Sequence, residues 1–138
     1  MERIAAIDVG LKRIGTAISP DGKTAMPQTP ILRKNRDQAA RDVDAFLRAW
    51  EIERLVVGLP KGGASEEEME RRIRHFVGLL EFAGPVEFID EAGSSAEAAE
   101  RMRGVTRQRR DGKLDSVAAQ LILERYLLKK ATEKRDGD

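Results

Sequence analysis

Acidic residues at the ends of apolar segments are the feature of this sequence that most directly suggests chemistry. Asp8 ends one apolar run, and Asp90 and Glu91 end another. Asp115 would share a helical face with two alanines and an isoleucine, so an acid lies along an otherwise apolar stripe. A carboxylate in such a position must be solvated, paired or bound to a cation.

Oxygen ligands without a histidine or cysteine partner favour Mg²⁺ or Mn²⁺. The chain has no cysteine and one histidine, His75, which lies off the apolar stripe of its predicted helix. Two such ions about 4 Å apart can activate a water and stabilise the leaving oxygen in phosphodiester hydrolysis. Taken singly, each acid could equally be a turn residue or a helix-dipole partner. Spacing alone leaves both interpretations open.

The apolar periodicity predicts the elements that must position these acids. Strands are expected at residues 3–8, 13–19, 23–32, 54–59 and 86–90. Helices are expected at residues 37–50, from about 65 to 84, from 94 or 95 to 102, and at 114–128. The first strands are close enough for hairpins, and the later ones alternate with helices. We therefore predict an α/β fold with a mixed five-stranded sheet, the first three strands antiparallel, the last two parallel, and helices on both faces.

Parallel strands bring ligand sites to their carboxyl ends, where Asp8, Pro60 and the Asp90-Glu91 pair all fall. Pro27 and Pro30 favour an edge position for the third strand. The sequence thus predicts that acids distant along the chain meet at one edge of the sheet.

The length of 138 residues fits a single domain at 1–130, followed by a frayed tail at 131–138. No apolar run approaches the roughly 20 residues of a membrane helix, and no cleavage site follows the start. We expect a cytoplasmic protein with no membrane partner. The net charge of +1 neither requires nor excludes a polyanionic partner.

A basic, glycine-containing segment at 103–113 directly precedes Asp115. We interpret it as an arm that contacts a nucleic-acid backbone, and a solvated turn between helices is the alternative. Its candidate contacts are Arg107, Arg109, Arg110 and Lys113.

Four blocks of the chain together resemble the YqgF family, which is related to the Holliday junction resolvase RuvC. They are IDVGLKRIGTAIS (7–19), VVGLPKGGASE (56–66), FIDEAGSSAEAAERM (88–102) and LDSVAAQLILERYL (114–127). The blocks occur in the family's order and cover nearly the whole chain. The resemblance implies an RNase H-like fold and a nuclease, a hydrolase acting on ester bonds. Its expected substrate is precursor 16S ribosomal RNA, with branched DNA such as a Holliday junction second.

The resemblance also assigns roles to individual residues. The family's acidic triad corresponds to Asp8, Glu91 and Asp115, expected to be catalytic and to hold Mg²⁺ or Mn²⁺, with Asp90 as an additional candidate ligand. Gly10 corresponds to a glycine that lets a phosphate approach the backbone. Arg13 corresponds to an arginine that pairs with the phosphate, and Lys12 beside it is either a further phosphate contact or simply solvated.

One block departs from the family pattern. The family usually follows its Asp-Glu pair with arginine, an apolar residue and two threonines, whereas this chain has Ala92, Gly93, Ser94 and Ser95. The two serines keep hydroxyls that could cap a helix or contact phosphate. Ala92 removes a guanidinium beside the expected metal site.

Two other functions stay open at the level of sequence. Ala92 favours a nucleic-acid-binding ribosome-assembly factor that keeps the fold without efficient catalysis. The second is a nucleotide phosphotransferase, because the run Asp8-Val9-Gly10 resembles a phosphate loop of the actin and sugar-kinase superfamily. Members of that superfamily need two such domains, and 138 residues supply one. The sequence is compatible with a monomer or a homodimer.

Overall fold

The structure, a computed structural model, describes residues 2–60, 66–90 and 116–136. Its elements, in chain order, are β1 (Ile4–Val9), β2 (Arg13–Ser19), β3 (Met26–Leu32), α1 (Arg36–Ala49), β4 (Arg54–Leu59), α2 (Glu66–Gly78), β5 (Val86–Asp90) and α3 (Val117–Asp136). The expected helix at 94 or 95 to 102 and the basic segment at 103–113 lie outside the described residues.

The strands form one five-stranded sheet in the order β3-β2-β1-β4-β5. β1 pairs antiparallel with β2, and β2 with β3. β1 pairs parallel with β4, and β4 with β5. The predicted mixed sheet is confirmed. The proline-containing strand β3 lies at an edge, as expected of a strand whose prolines cannot donate ladder hydrogen bonds.

Alternation along β1 divides its side chains between two cores. Ala5, Ile7 and Val9 pack with buried residues of α1 and α2. Ile4 and Ala6 pack instead with buried residues of α3, among them Ala119, Ile122, Leu123 and Tyr126. Helices therefore cover both faces of the sheet, as predicted, with α1 and α2 on one face and α3 on the other.

Helix α1 begins with a capping box. The Asn35 side chain accepts a hydrogen bond from the Gln38 amide at 2.8 Å, and the Gln38 side chain accepts one from the Asn35 amide at 3.2 Å. These bonds satisfy amides that have no partner within the helix. The predicted start at residue 37 is one residue late.

Helix α2 ends at Gly78, earlier than the expected end near residue 84. The Leu79 and Leu80 amides make the tighter i to i−3 bonds of a closing turn, to Phe76 and Val77. The Glu81 amide then donates to both carboxylate oxygens of the buried Asp44 in α1, at 3.1 and 3.0 Å. This contact with α1 turns the chain out of the helix, and apolar periodicity carries no sign of it.

Helix α3 continues through Asp136, past the expected end at residue 128, and so includes residues 131–136, for which the sequence predicts a frayed tail. The extension contains good helix formers, and Lys130 and Glu133 form an exposed i, i+3 ion pair at 3.9 Å. Residues 131–133 are exposed, so helix propensity rather than packing sustains this part. No helix of the described residues is long and apolar enough to span a bilayer.

Candidate active site at the carboxyl edge of the sheet

Asp8 lies near the carboxyl end of the central strand β1 and is half-buried. Its neighbours on the same face, Ile4 and Ala6, belong to the core under α3. Alternation therefore places Asp8 on the α3 face, beyond the last apolar layer. Its partner across the antiparallel pair is Gly15, which has no side chain to cover the carboxylate.

Gly10 closes the hairpin between β1 and β2. Its amide donates to the Arg13 carbonyl at 3.0 Å, and a Cβ at this position would lie 2.5 Å from that carbonyl oxygen. Glycine is thus required by the hairpin itself, a reason different from the phosphate approach expected from the family resemblance. The other expected phosphate contacts here, Lys12 and Arg13, are exposed beside the turn.

A β-bulge between β2 and β3 lies beside the residue of β2 that contacts the start of α3. Ile14 pairs with Ile31 and Thr16 with Gln28, so β3 supplies two residues, Thr29 and Pro30, opposite one residue of β2. The Thr16 hydroxyl donates to the Thr29 carbonyl at 3.1 Å.

The Thr16 amide donates to the hydroxyl oxygen of Ser116 at 3.0 Å. Both residues are fully buried. Since Thr16 pairs with Ile7, the start of α3 is fixed one register position from Asp8. Sequence reasoning missed this contact, because a serine after an aspartate at a helix start suggests only a local cap.

Asp90 lies on the opposite face of the sheet from Asp8. In β5, Val86 and Phe88 pack on the α1 and α2 side, and the Arg74 guanidinium of α2 lies 4.4 Å from the centre of the Phe88 ring. Alternation then places Asp90 on that side, together with its register partner Leu59. The structure therefore does not bring the additional candidate ligand Asp90 onto the face of Asp8.

A partly buried hydrogen-bonded network holds α3 against β4 and β5. The Tyr126 hydroxyl donates to the Glu87 carboxylate at 2.6 Å, and Arg54 donates to the same carboxylate at 2.6 Å. The bond from Tyr126, and then that from Arg54, hold the pKa of Glu87 below its ordinary value. Burial and the bond to Glu87 raise the pKa of Tyr126. The residue before Tyr126, Arg125, donates to the Asp90 carbonyl at 3.2 Å, which ties the helix to the end of β5.

Most of the other expected site residues lie outside the described residues. They are Glu91, Ser94, Ser95, Arg107, Arg109, Arg110, Lys113 and Asp115. Within residues 2–60, 66–90 and 116–136, no group of three or more histidine, aspartate or glutamate side chains could hold a metal ion. The donor chemistry of Asp8, a half-buried carboxylate, fits a hard cation such as Mg²⁺ or Mn²⁺.

A second polar feature, which sequence reasoning missed, lies on the other face of the same edge. It is a cleft of about 240 Å³ between the end of β1, the start of α1 and α2, with three arginines in its lining. Its residues come from three elements that are distant in sequence, so no local motif indicates it.

Comparison with known proteins assigns the chain to a family. The model of the family described as "RuvX: Holliday junction resolvase" matches residues 2–129. A protein of Sulfurovum sp. is 66% identical over 91% of this chain and 98% of its own length. A protein of Sulfurimonas denitrificans is 51% identical over 91% of this chain and 96% of its own length. Each of these two relatives bears the name "Putative pre-16S rRNA nuclease".

Solved structures agree on the fold. RuvC of T. thermophilus, solved with a Holliday junction substrate, has a TM-score of 0.57 and 13% identity over 96% of this chain and 97% of its own. The fowlpox virus Holliday junction resolvase has a TM-score of 0.57 and 18% identity over 92% of this chain and 99% of its own. The RNase H-like fold expected from the sequence is confirmed. With residues 2–129 matched and close relatives covered almost completely, the chain belongs to the RuvX family of Holliday junction resolvases.

Proposed function

We propose that this protein is a nuclease that hydrolyses phosphodiester bonds of precursor 16S ribosomal RNA at the carboxyl edge of its sheet. Relatives that share 51–66% of its residues bear the corresponding name, and the family is that of Holliday junction resolvases. The observation that carries the proposal is the half-buried Asp8 on the α3 face, with the start of α3 fastened one register position away through Ser116.

Asp8, Glu91 and Asp115 are the proposed cation ligands. Covalent geometry supports this set, since Glu91 directly follows the end of β5 and Asp115 directly precedes the fastened Ser116. Consecutive Cα atoms are about 3.8 Å apart, and the described neighbours of the two acids, Asp90 and Ser116, lie at the end of β5 and beside β2. Mg²⁺ or Mn²⁺ bound there would stabilise charge on the phosphate and lower the pKa of water.

The protein's own groups would bind and orient the substrate. The exposed Lys12 and Arg13 lie at the hairpin beside Asp8 and can pair with backbone phosphates. The same role is proposed for Ser94, Ser95 and the basic segment, namely Arg107, Arg109, Arg110 and Lys113. Affinity for the substrate should then fall steeply as salt is raised.

A cleavage assay with Mn²⁺ tests the proposal, using a precursor 16S RNA fragment and a four-way DNA junction as alternative substrates. Asp8→Asn should lower kcat by at least about 100-fold, because several kcal/mol of transition-state stabilisation depend on the bound cation. Asp90→Asn is the matched control and should stay within a few-fold of wild type, since Asp90 lies on the other face. Cleavage that persists unchanged in Asp8→Asn would contradict the site.

The ribosome-assembly factor is the second candidate, favoured by Ala92 in place of the family's arginine. It predicts that wild type binds the RNA fragment tightly but does not cleave it with Mn²⁺ or Mg²⁺. Cleavage that appears only in Ala92→Arg would support this second function, because the variant restores the missing guanidinium.

A further inference from the structure

We propose that the basic cleft on the α1 and α2 face binds a backbone phosphate of the nucleic acid, away from the bond that is cleaved. The cleft encloses about 240 Å³ at the end of β1, on the face opposite Asp8. The proposal rests on the nuclease function above and extends it, because it assigns a second surface that holds the substrate.

The lining combines cationic groups with apolar side chains. The polar side chains are those of Arg33, Arg36, Arg72 and His75, and the apolar ones those of Val9, Leu11, Met69 and Ile73. Guanidinium groups bind phosphate oxygens through paired, charge-assisted hydrogen bonds. The apolar side chains can pack against the C–H groups of the sugar attached to that phosphate. This mixture favours a phosphodiester unit over a free inorganic anion.

Arg33 is held in place before any ligand arrives. Its Nη1 donates to the Gly10 carbonyl at 3.0 Å, and its guanidinium lies 5.4 Å from the centre of the Phe76 ring. The residue is half-buried, and among the described residues it forms no ion pair with a carboxylate. A fixed cation of this kind binds an anion without first losing conformational freedom.

Arg36 and Arg72 stand at the rim and have only weak partners. Arg36 lies 4.0 Å from Asp37, and Arg72 donates to Glu68 at 2.7 Å, in pairs whose side chains are all more than half exposed. Exposed pairs of this kind contribute about 1 kcal/mol or less. A phosphate can therefore compete for both arginines. With Arg33 included, the three cations outnumber these two acids, and the end of β1 adds no charged residue to the lining.

Size and position indicate which part of the substrate would occupy the cleft. Its volume of about 240 Å³ is below the roughly 300–1,000 Å³ of pockets that enclose whole small ligands. One phosphate with its sugar fits better than a free nucleotide. Gly10 lines the cleft two residues after Asp8, a span of about 7 Å along a strand. A nucleic-acid strand crossing the edge at Gly10 could contact both sites.

Binding measurements without divalent cations test the cleft separately from catalysis. In the Asp8→Asn background, adding Arg36→Glu and Arg72→Glu should weaken binding of a single-stranded RNA about 10-fold or more. The slope of log K against log salt should fall by about 0.7, the value for one lost phosphate contact on a single strand. Adding Arg41→Glu and Arg71→Glu instead is the matched control, because it makes the same charge change on the same two helices outside the cleft. Equal weakening by both pairs would overturn the proposal, and melting curves establish that both variants are folded.

His75 supplies an independent readout, because it is the only histidine in the chain and lines the cleft. Its imidazole proton resonance should shift saturably when a diribonucleotide with one phosphodiester is added. The shift should be retained in the control pair and lost in the cleft pair. If the His75 resonance shifts with the diribonucleotide but the protein cleaves no RNA, the proposal for the cleft is supported and the proposed nuclease function is rejected. Normal cleavage with no His75 shift, or a shift with inorganic phosphate alone, would reject the cleft as a substrate contact.

Discussion

At the scale of single residues, Ser116 has the most consequential contact. Its hydroxyl oxygen accepts the Thr16 amide at 3.0 Å, at the point where the β-bulge displaces β3 from regular pairing. Removing the oxygen would leave a buried amide without this acceptor. Asp115, a proposed cation ligand, directly precedes Ser116, so we expect the same bond to restrict the position of Asp115 relative to Asp8.

Ser116→Ala should lower the free energy of unfolding by about 1–3 kcal/mol, the cost of an unsatisfied buried donor. Urea denaturation measures this change. Thr132→Ala is the control on the same helix, where the residue is exposed, and it should change stability by less than about 0.5 kcal/mol. We also expect Ser116→Ala to weaken Mn²⁺ binding under conditions where the protein stays folded. Unfolding curves identical to wild type would show that the hydrogen bond does not fasten α3.

Asp8 could be predicted from the sequence because an acid that ends an apolar strand is a local pattern. The sequence does not show on which face of the sheet Asp90 lies, because that depends on which face of β5 packs against α2. The contact between Arg74 and Phe88 identifies that face. The arginine cleft was likewise not predictable, because Arg33 and Arg72 are brought together only by the packing of α1 and α2 against the sheet.

At the scale of elements, α3 is held to the sheet at both ends of its buried half. Ser116 fastens its start to β2, and Tyr126 fastens a later turn to Glu87 in β5. The ion pair between Arg54 and Glu87 ties β4 into the same network at 2.6 Å. A helix fixed at two points cannot shift along its axis without breaking one of these contacts.

Tyr126→Phe should destabilise the protein by about 1.5–3 kcal/mol at pH 7, the usual contribution of a hydrogen bond to a charged group. The pKa of Glu87 is lowered from its ordinary 4.5, so the stability that its partners supply is present above that pH and is lost as pH falls below it. The difference between wild type and variant should therefore shrink towards pH 3. Urea midpoints from pH 3 to 7 measure it, and a difference independent of pH would contradict the role of the Glu87 carboxylate.

The existence and order of the described elements could be predicted because strand and helix periodicities differ. Their ends were less accessible. The bond from the Glu81 amide to Asp44 ends α2 through a contact between residues 37 positions apart, which no local pattern reveals. Helix α3 extends beyond the expected residue 128, because its exposed charged residues have a high intrinsic helix propensity although they do not continue the apolar pattern.

At the scale of the whole molecule, the proposed site couples cation binding to folding. The fold would bring three carboxylates together that are far apart in an unfolded chain, and their mutual repulsion opposes folding in the absence of a cation. A cation that binds only the folded state stabilises it by mass action. The stability of the protein should therefore depend on divalent cations even without substrate.

Mn²⁺ at 100 times its Kd should stabilise wild type by about 2.7 kcal/mol. For a chain of this size that is a rise in Tm of roughly 8 °C. Calorimetric melting with and without Mn²⁺ measures the effect, with Ca²⁺ as a second hard cation. The rise should disappear in Asp8→Asn and persist in Asp90→Asn. A rise of equal size in both variants would place the cation elsewhere.

The two-residue repeat of β5 makes its length as important as its composition. Phe88 faces α2, whereas Glu87 and Ile89 face α3, so the strand assigns residues to faces by odd or even position. Inserting or deleting one residue between Val86 and Asp90 would exchange the two sides, exposing apolar groups and moving Asp90 to the face of Asp8. Related sequences should therefore vary freely in which apolar residues they use here, while length changes are confined to the connections on either side.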